Sequence, residues 1–103
     1  MGVKRLESLA ELERVLKEPG PVLLLKHSTQ CSISARALEE VEAFSDDFVY
    51  LDLLEHRDVS DAIAARLKVR HESPQLLILQ AGKVEVVLNH DEIDREVLSR
   101  LLR

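Results

Sequence analysis

Residues 22–26, 48–53, 76–79 and 84–88 are apolar runs of strand length, and helix-period stripes separate the first three of them. Runs of about four to eight apolar residues read as buried strands rather than helices. Residues 3–6 predict a short first strand. Ser8-Leu9-Ala10-Glu11 matches a capping box, in which the serine caps a backbone N–H and the glutamate reaches back. Leu9, Leu12, Val15 and Leu16 then recur at helical spacing and predict a helix over 9–17, stopped by Pro19-Gly20-Pro21. A polar loop over 27–30 follows the second strand. A helix from about Cys31 to Phe44 carries Ile33, Ala37, Leu38, Val41 and Phe44 on one stripe. Val59, Ile63 and Leu67 predict a helix over 58–68, and residues 69–73 form a loop ending at Pro74. Ala81-Gly82-Lys83 marks a hairpin between the last two strands. Asp91 is expected to cap a final helix with Ile93, Val97, Leu101 and Leu102 inward.

The resulting order is β-α-β-α-β-α-β-β-α. It implies an α/β fold, with helices on both faces of a mostly parallel sheet and an antiparallel edge from the last hairpin. The chain of 103 residues suits one domain, 1–103, without a linker or repeat. With aromatics at 3% and no Trp, its core must be aliphatic.

The net charge of -5, without a Lys/Arg run, argues against nucleic acid, because phosphate binding needs concentrated positive charge. The start of the chain shows no apolar signal core, and no apolar run is long enough to span a bilayer. The expectation is a cytoplasmic protein without a membrane partner. One cysteine cannot form an internal disulfide, which agrees with a reducing compartment.

That cysteine, Cys31, sits in the polar stretch Ser28-Thr29-Gln30-Cys31-Ser32, ahead of the apolar stripe. A thiol at a helix N-terminus faces unpaired N–H groups and the positive end of the helix dipole. Both favour the thiolate, the species that attacks disulfides. A lone cysteine is more often a small buried hydrophobe, but a cysteine of that kind would sit within the stripe. Ser34, three residues on, shares its helix face and could donate to a thiolate. With no second cysteine in the chain, any such cycle needs an external thiol.

Arg36 suggests a phosphatase cradle, but only four residues separate it from Cys31 and the loop lacks glycine. Four scattered histidines and one cysteine give no short pair of metal ligands, so no metal is expected. His27 alternates with Lys26 along the strand and is expected to face away from it, without a role. His56 and His90 read as surface residues.

Pro21-Val22-Leu23-Leu24-Leu25-Lys26 followed by Cys31-Ser32-Ile33-Ser34 resembles a thioredoxin-superfamily active site with Ser34 in place of the second cysteine. More narrowly, Lys26-His27-Ser28-Thr29-Gln30-Cys31-Ser32-Ile33-Ser34 resembles the K-H-S-T-x-C-P-I-S signature of the YtxJ-type monothiol bacilliredoxins. Arg70-His71-Glu72-Ser73-Pro74-Gln75 resembles that family's second block. Two positions depart from the pattern: Ser32 replaces the proline after the cysteine, and Asp91 stands where a tryptophan is expected after His90.

The resemblance implies a thioredoxin-like fold with a mixed sheet of four or five strands. It also implies a monothiol disulfide oxidoreductase. Cys31 would take bacillithiol, a glucosamine-malate-cysteine thiol, from bacillithiolated proteins, and a second bacillithiol would release it. No bound cofactor is implied, and bacillithiol serves as thiol co-substrate. Cys31 and Ser34 would be the catalytic residues; Lys26, Thr29, Arg70, His71, Ser73 and Pro74 would contact substrate. Ser73–Pro74 would be a cis bond, leaving the Ser73 backbone to pair with a bound disulfide. Lys26 could meet the thiolate or a ligand carboxylate, or simply be a solvated strand-end lysine. Arg70 and His71 could meet the malate carboxylates. Two alternatives stand beside this reading. One is a glutathione-linked monothiol glutaredoxin, although its C-G-F-S signature is missing; the other is a redox-inactive interaction module.

Overall fold

The computed structural model describes residues 3–28 and 32–102. Five strands form one sheet: β1 (Val3–Arg5), β2 (Pro21–His27), β3 (Phe48–Asp52), β4 (Gln75–Gln80) and β5 (Lys83–Asn89). Four helices join them: α1 (Leu9–Leu16), α2 (Ser32–Phe44), α3 (Arg57–Leu67) and α4 (Arg95–Leu101). A single 3-10 turn over His90–Glu92 precedes α4. The spatial order is β1-β3-β2-β4-β5. No helix among the described residues is long and apolar enough to cross a membrane.

The expected element order holds, but the sheet is evenly mixed rather than mostly parallel. β3 runs parallel to β1 and β2, whereas β4 is antiparallel to β2 and β5 is antiparallel to β4. The segment after α3 explains the reversal. A helix of 11 residues rises about 16 Å, a length that about five extended residues can retrace. Residues 68–74 do retrace it, bringing His71 back to Ser60 in the first turn of α3. β4 therefore starts at the end of the sheet where β2 and β3 finish.

Strand alternation sends apolar residues to two cores. Leu24, Val49, Leu51, Leu77 and Leu79 pack with α1 and α3 through Leu12, Val15, Val59 and Ile63. Leu25, Tyr50, Leu76, Ile78 and Leu88 pack with α2 and α4 through Ala37, Val41 and Leu98. Ser8 Oγ caps α1 as expected by accepting from the Glu11 N–H, while Glu11 Oε1 reaches back one residue further than a capping box requires, to the Glu7 N–H.

Several stripe positions differ from expectation. Leu9 and Ile33 lie in solvent, at 50% and 52% exposure. On α2 the buried face is Ser34, Ala37 and Val41, which leaves Ile33 one residue off it. Leu101 and Leu102 are also exposed; Leu98 supplies the buried contact of α4. Asp91 does not cap that helix. It lies within the 3-10 turn, where Glu92 Oε1 accepts from the Asn89 N–H at 2.8 Å, and Asp94 caps α4 by accepting from the Glu96 and Val97 N–H groups.

The β4–β5 hairpin turns on two residues with positive φ, Ala81 at 52° and Gly82 at 77°. That is the geometry of the two-residue turns that match strand twist. Gly82 is required on a second count, because a Cβ there would lie 2.3 Å from the Leu16 carbonyl oxygen at the end of α1.

Candidate functional site

The end of β2, the first turn of α2 and the loop entering β4 converge at one end of the sheet, where the two central strands meet. Lys26 pairs with Gln75 across the β2–β4 ladder. One step further along that register sets His27 beside Pro74. Cys31 and Thr29 lie outside the described residues. α2 begins at the residue after that cysteine, and its Ser34 is fully buried, with Oγ accepting from the Ser28 N–H at 3.3 Å. An oxygen that accepts from the loop keeps its own proton to donate.

The Ser73–Pro74 peptide is cis. Pro74 is buried, and its carbonyl accepts from the His90 N–H at 2.9 Å. Gln75 braces this loop from within the sheet, its amide donating to the Arg70 carbonyl at 2.9 Å and to Asn89 Oδ1 at 3.0 Å. Ser73 Oγ is buried and has no partner among the described residues.

Alternation along β2 separates the basic residues. His27 faces away from Lys26, as expected, on the α2 side of the sheet, and its Nδ1 lies 2.8 Å from the Tyr50 hydroxyl. Burial lowers its pKa against the opposing pull of Asp52, and its Nε2 is buried without a partner among the described residues. Lys26 faces the other core. It is not a solvated strand-end lysine: it is fully buried, one residue inside the strand, with Nζ 2.8 Å from His71 Nδ1. Burial lowers the ammonium from 10.5 to about 8, partly countered by Asp61. His71 is also lowered, first by burial and then by the charges of Lys26 and Arg57. The imidazole is thus neutral, with its proton on Nε2 and Nδ1 free to accept from the ammonium.

The residues singled out in the sequence therefore form two groups. Ser34 and Pro74 lie on the α2 side of the sheet, Lys26 and His71 on the α3 side. The structure thus gives Lys26 a place behind the site, where it fastens the loop carrying Ser73 and Pro74. Arg70 turns outward, its side chain 92% exposed and 3.9 Å from Glu72. His56 is only partly exposed, while His90 is exposed and pairs with Glu72 at 3.3 Å. Among the described residues no cluster of three His, Cys, Asp or Glu side chains could hold a metal.

Sequence reasoning missed Gln75, Tyr50 and Ser60. Ser60 and Gln75 did leave a signal, since each is a polar residue inside an apolar pattern, where burial demands a partner. Tyr50 gave none, because its partner His27 is 23 positions away.

Comparison with known proteins agrees with this geometry. A family model described as monothiol bacilliredoxin BrxC matches residues 4–98. A solved structure, described only provisionally as an oxidoreductase with a thioredoxin fold, is 33% identical; the match covers 98% of this chain and 94% of that one, with a TM-score of 0.91. The thioredoxin of Malassezia sympodialis is 18% identical over 98% of this chain and 89% of its own, with a TM-score of 0.76. Mitochondrial thioredoxin 3 of Saccharomyces cerevisiae is 17% identical over 97% and 92%, with a TM-score of 0.73. The last two similarities establish the thioredoxin fold.

Proposed function

Because this chain belongs to the monothiol bacilliredoxin family, we propose that it is the thiol-disulfide oxidoreductase that removes bacillithiol from protein mixed disulfides through Cys31. The observation that carries the proposal is the family match over residues 4–98, which includes the chain's one cysteine. The cis-proline loop beside the start of α2 supports it. Thiol-disulfide oxidoreductase chemistry in general accords with the family and with the 33% identical relative; bacillithiol is the finer part of the proposal.

In the first step the Cys31 thiolate attacks the bacillithiol sulfur of the mixed disulfide. The protein–sulfur bond breaks, the protein thiolate leaves and takes a proton, and Cys31 becomes disulfide-bonded to bacillithiol. A second bacillithiol, as thiolate, then attacks that sulfur, releasing bacillithiol disulfide and the Cys31 thiolate. With no resolving cysteine, the second step depends on a free low-molecular-weight thiol as co-substrate. A reducing cytoplasm is the compartment that supplies it. Ser34 would donate to the thiolate, and Ser73 would hold the incoming disulfide through its backbone.

Intact mass of reduced protein mixed with a bacillithiol-modified substrate protein tests this, beside a glutathione-modified control and Cys31→Ala. Movement of one bacillithiol onto Cys31, with little transfer of glutathione, supports the proposal. Equal transfer from both reduces it to a general monothiol reductase, and transfer from neither favours an interaction module.

A further inference from the structure

Arg36 stands one helical turn before Glu40 on α2, the spacing at which a helix pairs opposite charges. Glu40 is taken by another residue. Its carboxylate accepts from Arg95 Nε at 3.0 Å, from Nη2 at 2.8 Å and from the Arg95 N–H at 2.9 Å. With that clamp between α2 and the start of α4 in place, Arg36 makes no close ion pair among the described residues, although its charge still favours the Glu40 carboxylate.

Arg36 instead lines an open groove of about 430 Å³ together with Ser32, Ile33, His90 and Asp91. One wall is the first two turns of α2, directly after Cys31 in the chain. The other is the 3-10 turn, fastened to the cis-proline loop by the His90 N–H on the Pro74 carbonyl. The exposed Ile33 adds an apolar surface between the charges. His90 faces Glu72 at 3.3 Å, which leaves Arg36 as the permanent cation of the groove and Asp91 as the charge opposing it.

Ser32, the residue that follows Cys31 in the chain, lines this groove, which brings it within reach of a small thiol disulfide-bonded to that cysteine. The chain carries a net charge of -5 and repels anions at long range, so a carboxylate held here needs a local cation. We propose that this groove is the subsite for the carboxylate-bearing end of the low-molecular-weight thiol. Arg36 binds the carboxylate, Ile33 contacts the body of the molecule, and Asp91 limits how much negative charge the groove holds. The assignment rests on the monothiol reading above and adds to it a residue that fixes thiol specificity.

The test uses two disulfides and no protein substrate: bacillithiol disulfide, and the disulfide of the same cysteinyl glucosamine lacking the malate. The rate of mixed-disulfide formation on Cys31 is followed by intact mass for the wild type, Arg36→Gln and Asp91→Asn. Both positions are exposed, and circular dichroism checks that both variants fold. Arg36→Gln is expected to slow the reaction with bacillithiol disulfide about tenfold, the loss of one charge-assisted contact, and to leave the malate-free reaction unchanged. Asp91→Asn is expected to speed the first reaction and not the second. Equal rates for Arg36→Gln and wild type, or equal slowing on both disulfides, overturn the subsite while leaving the monothiol reading intact. A wild type inert to both disulfides overturns the monothiol reading and the subsite together.

Discussion

Lys26 Nζ and His71 Nδ1 lie 2.8 Å apart, joining the end of β2 to the loop that leads into Pro74 across 45 positions of sequence. A buried ammonium with a neutral imidazole as its close partner is a costly arrangement, because most of its hydration is lost and no carboxylate among the described residues bonds it directly.

That cost predicts a pH dependence. The folded-state pKa of Lys26 is lowered from 10.5 to about 8. Between those values the unfolded chain holds a proton that the folded chain has released, so stability rises with pH across that window. Below about 8 both states are protonated and the penalty is constant. Full release should raise stability by about 3 kcal/mol. Denaturant unfolding from pH 7.5 to 10.5, with Lys26→Met as the reference, measures the term. Parallel curves for the two proteins would show that it is absent.

Glu40 titrates in the opposite sense. The bonds from Arg95 hold its carboxyl down at about 2 instead of 4.5. Its contribution to stability is complete above 4.5 and is lost as pH falls toward 2. Carboxyl chemical shifts should show Glu40 as a low outlier among the glutamates, and Arg95→Ala should bring it part of the way back, since the backbone N–H of residue 95 and the Arg36 charge still favour the carboxylate.

Gly82→Ala should destabilise the fold by about 1–3 kcal/mol, since an alanine there adopts positive φ and meets the Leu16 carbonyl at 2.3 Å. Each kcal/mol corresponds to roughly 4–8 °C of melting temperature in a domain of this size. Gly20→Ala is the control. Its added Cβ meets nothing within 4 Å, and a thermal melt should move little.

Ser34→Ala removes the acceptor of the Ser28 N–H in a buried setting. The unpaired N–H should cost about 1–3 kcal/mol. If Ser34 also donates to the thiolate, alkylation of Cys31 at pH 6 should slow several-fold. Lost stability with unchanged alkylation would assign Ser34 to loop anchoring alone.

Features set by neighbours in the chain were legible before the structure. The capping box of α1 is visible as Ser8 and Glu11, the hairpin as Ala81 and Gly82, and the run at the start of β4 as Leu76 to Leu79. The resemblance around Ser73-Pro74 anticipated the cis bond. Features set by distant partners were not legible. Asp91 and Asp94 are equally good caps as residues; Glu92 closing back on Asn89 decides that the helix starts later. Lys26 reads equally as a substrate contact or as a solvated cation until residues 68–74 are seen to carry His71 back over α3. The even mixture of strand directions has the same origin, because no local pattern tells where a loop will return. Arg36 was readable only as a poor phosphatase match, since its isolation depends on Arg95, 55 positions from Glu40.

The sheet order leaves β1 and β5 with one unpaired side each. Bare strand edges are where chains stick to one another. Here one edge is three residues long and includes Lys4 and Arg5, and the other carries exposed Lys83 and Glu85 on a strand that itself bulges at Glu85, opposite Ile78 and Leu79. A short charged edge and a kinked charged edge both discourage a further strand from adding. Either edge is therefore a poor template for strand addition, so contact between copies of this domain need not extend its sheet.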